Sequence, residues 1–115
     1  MLQIRRQQLD TLTTAMRHKA NLQLVEYARK RFPTVFEKID EPAAYKLVDH
    51  VRTTAERYGI EREDNVAMFL DFTVMYGEEF HKARWATDVL SSEAIHAPDK
   101  MALLEERARQ TGVTL

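Results

Sequence analysis

The residues that most constrain this chain are its few helix breakers, because Gly and Pro interrupt regular structure more strongly than any other residue types. The 115 residues include three of each. Every proline stands where a helix can begin, since its missing N–H costs nothing in a first turn. Every glycine follows a helical pattern, as a left-handed C-terminal cap does. In chain order these residues are Pro33, Pro42, Gly59, Gly77, Pro98 and Gly112.

Apolar residues recur at helical spacing between these breaks, and no segment alternates with period two over a useful length. The sequence therefore predicts an all-α protein, a compact bundle that forms a single domain over residues 1–115. The four main helices are predicted at 6–32, 41–58, 63–76 and 98–111, with short helices near 34–39 and 85–91.

Two of these helices differ in their patterns. The helix at 41–58 is amphipathic, with Asp40 as its N-cap and with Arg52 among the residues expected to face water. The helix at 63–76 is apolar nearly all round, which is typical of a central helix. Asp71 interrupts it, and the favoured interpretation is a satisfied core carboxylate. The alternative is a face that stays exposed until a partner covers it.

Composition excludes several classes of function. The chain has no cysteine, which removes disulfides, thiolate metal sites and thiol nucleophiles. Lys plus Arg is 17 and Asp plus Glu is 18, a balance that argues against a dedicated nucleic-acid binder. No apolar run approaches the roughly 20 residues of a membrane-spanning helix, and no secretory signal is apparent. We therefore expect a cytoplasmic protein with no membrane partner.

The charge is distributed unevenly along the sequence. Residues 1–31 carry seven basic and two acidic groups, a sum of +5, whereas the remainder carries ten basic and sixteen acidic groups, a sum of -6. The favoured interpretation is a solvated helix that packs on an acidic body. The functional alternatives are docking on an acidic protein partner and head-to-tail self-association.

Two short patterns are similar to metal-binding motifs. Glu78 and His81 form one Glu-x-x-His pair, and Glu93 and His96 form another. In di-iron bundles such pairs project from long helices, but here they flank Gly77 and Pro98. We therefore expect exposed loop residues, no metal and no cofactor. The nucleophile elbow of serine hydrolases is also absent, so no enzymatic activity is predicted.

Trp85 follows a charged loop and begins a short helix. Large aromatic residues at such positions are often interface anchors, although a single Trp more often fills the core. Both interpretations stay open for Trp85.

Several fragments of the sequence are similar to one family pattern. They are Met1-Leu2-Gln3-Ile4-Arg5, Phe32-Pro33, Arg57-Tyr58-Gly59-Ile60, Glu63-Asp64 with Val66, Gly77-Glu78-Glu79-Phe80, and Trp85-Ala86 with Leu90. The chain thereby resembles small all-helical bacterial proteins that are encoded beside type VI secretion effectors and PAAR spike-tip proteins.

The resemblance implies a non-catalytic adaptor or co-chaperone that binds an effector, its chaperone or a spike-tip protein. The alternatives are an immunity protein that neutralises a cognate toxin and a small nucleic-acid-binding regulator. A homodimer is also expected, because a first helix of roughly 40 Å cannot bury its whole apolar stripe in so small a domain. The candidate interface residues are Arg17, Arg29, Lys30, Arg31, Glu78, Glu79, Phe80 and Trp85.

Overall fold

Helical backbone makes up most of the computed structural model, which describes residues 2–110 and the side chains of residues 13–96 and 98–110. Within this described part of the chain there is no strand, so the all-α prediction is confirmed. The helices are α1 (Leu2–Arg31), α2 (Pro33–Phe36), α3 (Glu41–Arg57), α4 (Glu63–Tyr76), α5 (Arg84–Leu90) and α6 (Ala97–Gln110), with a 3-10 turn at Phe80–Lys82 between α4 and α5.

Most predicted helix boundaries lie within two residues of the observed ones. The bounds of α4 were predicted correctly at both ends. The observed end of α3, at Arg57, is one residue before the predicted end at residue 58. Two predictions were less accurate: α1 begins at Leu2 rather than at residue 6, and α2 is a single turn that ends at Phe36 rather than at residue 39. Gly112 and the predicted end of α6 at residue 111 lie outside the described residues.

The chain divides into two compact units, Met1–Asp49 and His50–Leu115, and the expectation of a single domain stays a prediction. In the first unit Asp40 acts as the predicted N-cap of α3, because its Oδ1 accepts a hydrogen bond of 2.9 Å from the backbone N–H of Ala43. Among the side chains of this unit that the structure describes, the buried apolar ones are Leu24, Val25, Ala28, Phe36, Ala44 and Val48.

Arg29 holds the turn between α1 and α3 within the first unit. Its Nη1 donates to the carbonyl of Phe36 at 2.8 Å and its Nη2 donates to the carbonyl of Ile39 at 3.3 Å. Its Nε also donates to Glu41 Oε1 at 3.0 Å. One planar guanidinium therefore satisfies the carbonyl of the last residue of α2 and a carbonyl three residues later, where no helix continues.

In the second unit α3 ends in a glycine cap, and residues of this cap line a groove described below. Ile60 N donates to Ala55 O and Gly59 N donates to Glu56 O, both at 3.0 Å. Gly59 has φ of 77°, a left-handed conformation that glycine adopts without strain. This pair of bonds is a Schellman motif, and it leaves the carbonyl of Tyr58 without a helical partner.

Candidate functional site

A cluster of aromatic rings forms the core of the second unit around Phe80. The Phe80 ring centroid lies 4.9 Å from that of Phe69 and 5.6 Å from that of Phe72. One face of α4 carries Phe69, Phe72 and Tyr76 at helical spacing. The contacts of Phe80 with Phe69 and Phe72 show that the 3-10 turn packs against this face. Offset ring pairs of this kind add stability beyond the area that they bury.

Trp85 lies at the edge of this cluster and is half-buried. Its ring contacts Tyr76 edge-on, with centroids 5.4 Å apart, and it also contacts Phe72 and Phe80. These rings hold the indole in one place while part of it stays accessible to solvent. Trp85 is thus neither a fully buried core residue nor a freely exposed one.

The accessible side of Trp85 borders a groove of about 540 Å³ between α5 and α6. We name this the Trp85 groove, and its lining residues are Arg84, Trp85, Asp88, Arg107 and Gln110. Arg107 Nη1 lies 3.4 Å from Asp88 Oδ2 across the groove, a long and partly exposed ion pair. Such a pair contributes little to stability.

The predicted contact residues that precede Trp85 have different environments. Glu78 and Glu79 are exposed, and Lys82 Nζ lies 2.9 Å from Glu79 Oε2. This hydrogen bond, with the charge of Lys82, holds the pKa of the Glu79 carboxyl below its ordinary value. Phe80 is buried in the aromatic cluster and offers no surface to a partner.

The predicted basic contact residues of α1 are partly used inside the first unit. Arg29 is bound to the α2 turn, and Arg17 Nε donates to Asp49 Oδ1 at 3.1 Å. Lys30 and Arg31 are exposed at the end of α1, where Lys30 Nζ lies 3.2 Å from Glu26 Oε1. Of the four basic candidates, Lys30 and Arg31 present the most surface.

His81 was expected to be an exposed loop residue, and that expectation was wrong. The side chain is buried beside the aromatic cluster, with Nδ1 at 3.0 Å from the hydroxyl of Tyr58. Burial lowers the pKa of the imidazole, and the nearby charge of Lys82 lowers it further. His81 faces a tyrosine rather than a second carboxylate or histidine.

Glu78, Glu93 and His96 are exposed, as expected from the sequence. Within the described residues, no group of three or more His, Cys, Asp or Glu side chains is placed to hold a metal ion. Asp71, the acid within the apolar α4, is half-buried rather than enclosed.

Sequence reasoning missed two buried cations in the second unit. Arg52 was expected to face water but is 5% exposed, and it forms a two-bond ion pair with Glu63 that joins α3 to α4. Lys100 is 6% exposed and donates to two backbone carbonyls. Helical spacing gives a partial signal for both, because Arg52 lies four residues after buried Val48 and Lys100 lies four residues before buried Leu104, but it does not identify their partners.

The comparisons with known proteins give no relative of this chain: no family model, no curated protein and no solved structure matches it. Among the described residues, no helix is both long and apolar enough to cross a membrane.

Proposed function

We propose that this chain is a non-catalytic accessory protein that acts by binding another protein through the Trp85 groove. The observation that carries the proposal is the half-buried indole, which three other rings of the second unit hold in place at the border of an open groove. A rigid aromatic residue of this kind loses little conformational freedom on binding, which is why Trp is enriched among interface hot spots.

The charges that line the Trp85 groove favour an acidic partner segment. Arg84 and Arg107 contribute two positive charges and Asp88 contributes one negative charge, so the lining sums to +1. The complementary surface is an apolar side chain that packs against Trp85, with a carboxylate next to it that pairs with Arg84. The exposed and positively charged Lys30 and Arg31 of the first unit also favour an acidic partner.

The resemblance to accessory proteins of type VI secretion loci suggests which partners to test. On this proposal the chain is a cytoplasmic adaptor or co-chaperone, and its partner is an effector, the effector's chaperone or a PAAR spike-tip protein. An adaptor needs only a preformed surface, and neither metal nor cofactor takes part.

Co-expression with each protein encoded beside the gene tests this proposal. We expect one of them to co-purify with the chain at fixed stoichiometry, and we expect Trp85→Ala to abolish that complex. Tyr45→Ala is the matched control, because Tyr45 is a half-buried aromatic residue of the first unit that pairs with His18 rather than with a candidate contact residue. Failure of every neighbouring protein to co-purify would contradict the proposal, as would a complex that Trp85→Ala leaves intact.

We also propose that the isolated chain forms a homodimer. Met16 is 62% exposed and Leu22 is 47% exposed on the 30-residue α1, so apolar surface of this helix is accessible. A twofold-symmetric contact through α1 would bury such residues. Sedimentation equilibrium of the purified chain gives the mass, and Met16→Lys should shift it towards that of a monomer. A monomeric mass for the unaltered chain at high concentration contradicts the dimer.

A further inference from the structure

A second groove, of about 530 Å³, lies at the other end of the α5–α6 pair. We name it the Lys100 groove. It lies where α3 ends, where α5 ends and where α6 begins, and its size is within the range of ligand pockets. Its lining includes the cations Arg57 and Lys100, the imidazole of His96 and the carboxylate of Glu93.

Lys100 uses only part of its hydrogen-bonding capacity. Its Nζ donates to the carbonyl of Tyr58, which the Schellman motif leaves open, and to the carbonyl of Leu90, the last residue of α5; both bonds are 2.8 Å long. An ammonium group has three N–H donors. No third acceptor for Nζ lies among the described residues, and Lys100 lines the groove, so its third N–H is available to a group that enters the groove.

The positive charge of the Lys100 ammonium is compensated by backbone carbonyls rather than by a carboxylate. Within the described part of the chain, no carboxylate lies within ion-pair distance of Lys100. Two helix C-termini, each equivalent to roughly half a negative charge, stabilise the buried cation instead. The carbonyls of Tyr58 and Leu90 accept hydrogen bonds from two of its three N–H groups.

The side chains of the groove have a net positive charge and an apolar wall. Arg57 and Lys100 contribute +2 and Glu93 contributes -1, so the sum is +1 when His96 is neutral. Arg57 is exposed and forms no ion pair among the described residues. Leu90 and Ile95 supply apolar lining.

We propose that the Lys100 groove binds a small organic monocarboxylate. One carboxylate oxygen accepts the third N–H of Lys100, the guanidinium of Arg57 pairs with the carboxylate from the solvent side, and the apolar part of the ligand packs against Ile95. A single negative charge matches the sum of +1, and a buried ammonium forms stronger hydrogen bonds to an anion than to a neutral group. This site is separate from the Trp85 groove and needs no protein partner.

Titration of the ¹⁵N-labelled chain with benzoate, followed by NMR, tests the proposal. We expect saturable shifts of the amide signals of Gly59, Ser91 and Lys100, with no saturable response to benzamide, the uncharged analogue of the same shape. Equal shifts with benzamide would overturn the proposal, and so would inorganic phosphate binding more tightly than benzoate. The absence of a saturable benzoate response, with hexanoate equally inactive, would also overturn it.

Variants locate the binding to the two cations. Lys100→Met should weaken benzoate binding at least about tenfold, because the donor to the anion is lost. Arg57→Gln should weaken it about three- to fivefold by removing an exposed charge without disturbing a buried bond. The control is Lys46→Met, which removes an exposed lysine outside the groove and should leave affinity unchanged.

If Lys100→Met does not fold, Arg57→Gln decides the outcome. Wild-type affinity in Arg57→Gln, or an equal loss in Lys46→Met, would overturn the assignment of the site. These results are independent of partner binding, which Trp85→Ala tests.

Discussion

The two ends of the α5–α6 pair differ in how their polar groups are satisfied. At one end Arg107 and Asp88 form an exposed pair beside the half-buried Trp85. At the other end Lys100 is buried and is bound to backbone carbonyls rather than to a carboxylate. On our proposals, the first arrangement presents an anchored aromatic ring to a partner protein, whereas the second directs an N–H donor of Lys100 towards a small anion.

The largest expected effect on the free energy of unfolding comes from a substitution in the buried aromatic core, and a substitution at its accessible edge should have a smaller effect. Phe80→Ala should lower the free energy of unfolding by about 3–5 kcal/mol, because a fully packed ring is removed from the core. Trp85→Ala should cost clearly less, because the indole is already partly in water. Urea denaturation followed by circular dichroism measures both variants. Equal losses would show that Trp85 is a core residue and would remove the distinction between the two roles.

A smaller effect is expected at the Lys100 end. Lys100→Met keeps the apolar stem but leaves the carbonyls of Tyr58 and Leu90 without their donor, which should lower the unfolding free energy by about 1.5–3 kcal/mol. Lys46→Met, at an exposed position, should change it by less than about 0.5 kcal/mol. The same denaturation assay applies. A loss in Lys100→Met no larger than in Lys46→Met would contradict the two hydrogen bonds.

The buried His81 of the 3-10 turn predicts a pH dependence. Its pKa is lowered in the folded protein, so the unfolded chain binds a proton at a higher pH than the folded chain does. The free energy of unfolding should have its full value above about pH 6.5, the ordinary pKa of histidine. It should fall as the pH drops from there through the lowered pKa of His81 in the folded protein. The slope cannot exceed about 1.4 kcal/mol per pH unit for one proton.

Unfolding free energies at several pH values between 5 and 8 test this prediction. His81→Gln should flatten the decrease, whereas His96→Gln, at an exposed position, should retain it. The charges of His50, Arg57, Lys82 and Glu79 also act on His81, so Lys82→Gln should reduce the slope slightly. An unchanged slope in His81→Gln would assign the pH dependence to another group.

The smallest effect on stability is expected at the exposed pair beside Trp85. Asp88→Asn should change the unfolding free energy by less than about 1 kcal/mol, because a partly exposed ion pair at 3.4 Å is weak. It should, however, strengthen binding of an acidic partner, since Asp88 is the one carboxylate among the described residues that line the groove. Weaker partner binding by Asp88→Asn would contradict the proposed charge of the partner.

The helical segments could be predicted from the sequence because they depend on local patterns. Gly77 marks the end of α4, and the spacing of Phe69, Phe72 and Tyr76 marks its packed face. The environments of charged residues were harder to predict, since Arg52 and Lys100 are buried only because Glu63 and two distant carbonyls satisfy them. Such partners are non-local, and average exposure statistics for Lys and Arg point the other way.

The Trp85 groove was only half predictable for the same reason. The sequence indicated Trp85 as either a core residue or an interface anchor, and the structure places it at the border between the two environments. Phe80 lies only five residues earlier but is enclosed by Phe69 and Phe72. Which aromatic residue is enclosed depends on how the 3-10 turn packs on α4, and no pattern within the loop encodes that packing.

Calorimetric titration of the purified chain into the partner identified by co-expression tests the central claim most directly. Our account predicts that Trp85→Ala weakens binding by at least about thirtyfold, the loss typical of a hot-spot residue, while Tyr45→Ala stays within about twofold of the unaltered chain. Equal affinity of Trp85→Ala and the unaltered chain would contradict the claim that this protein acts through the Trp85 groove.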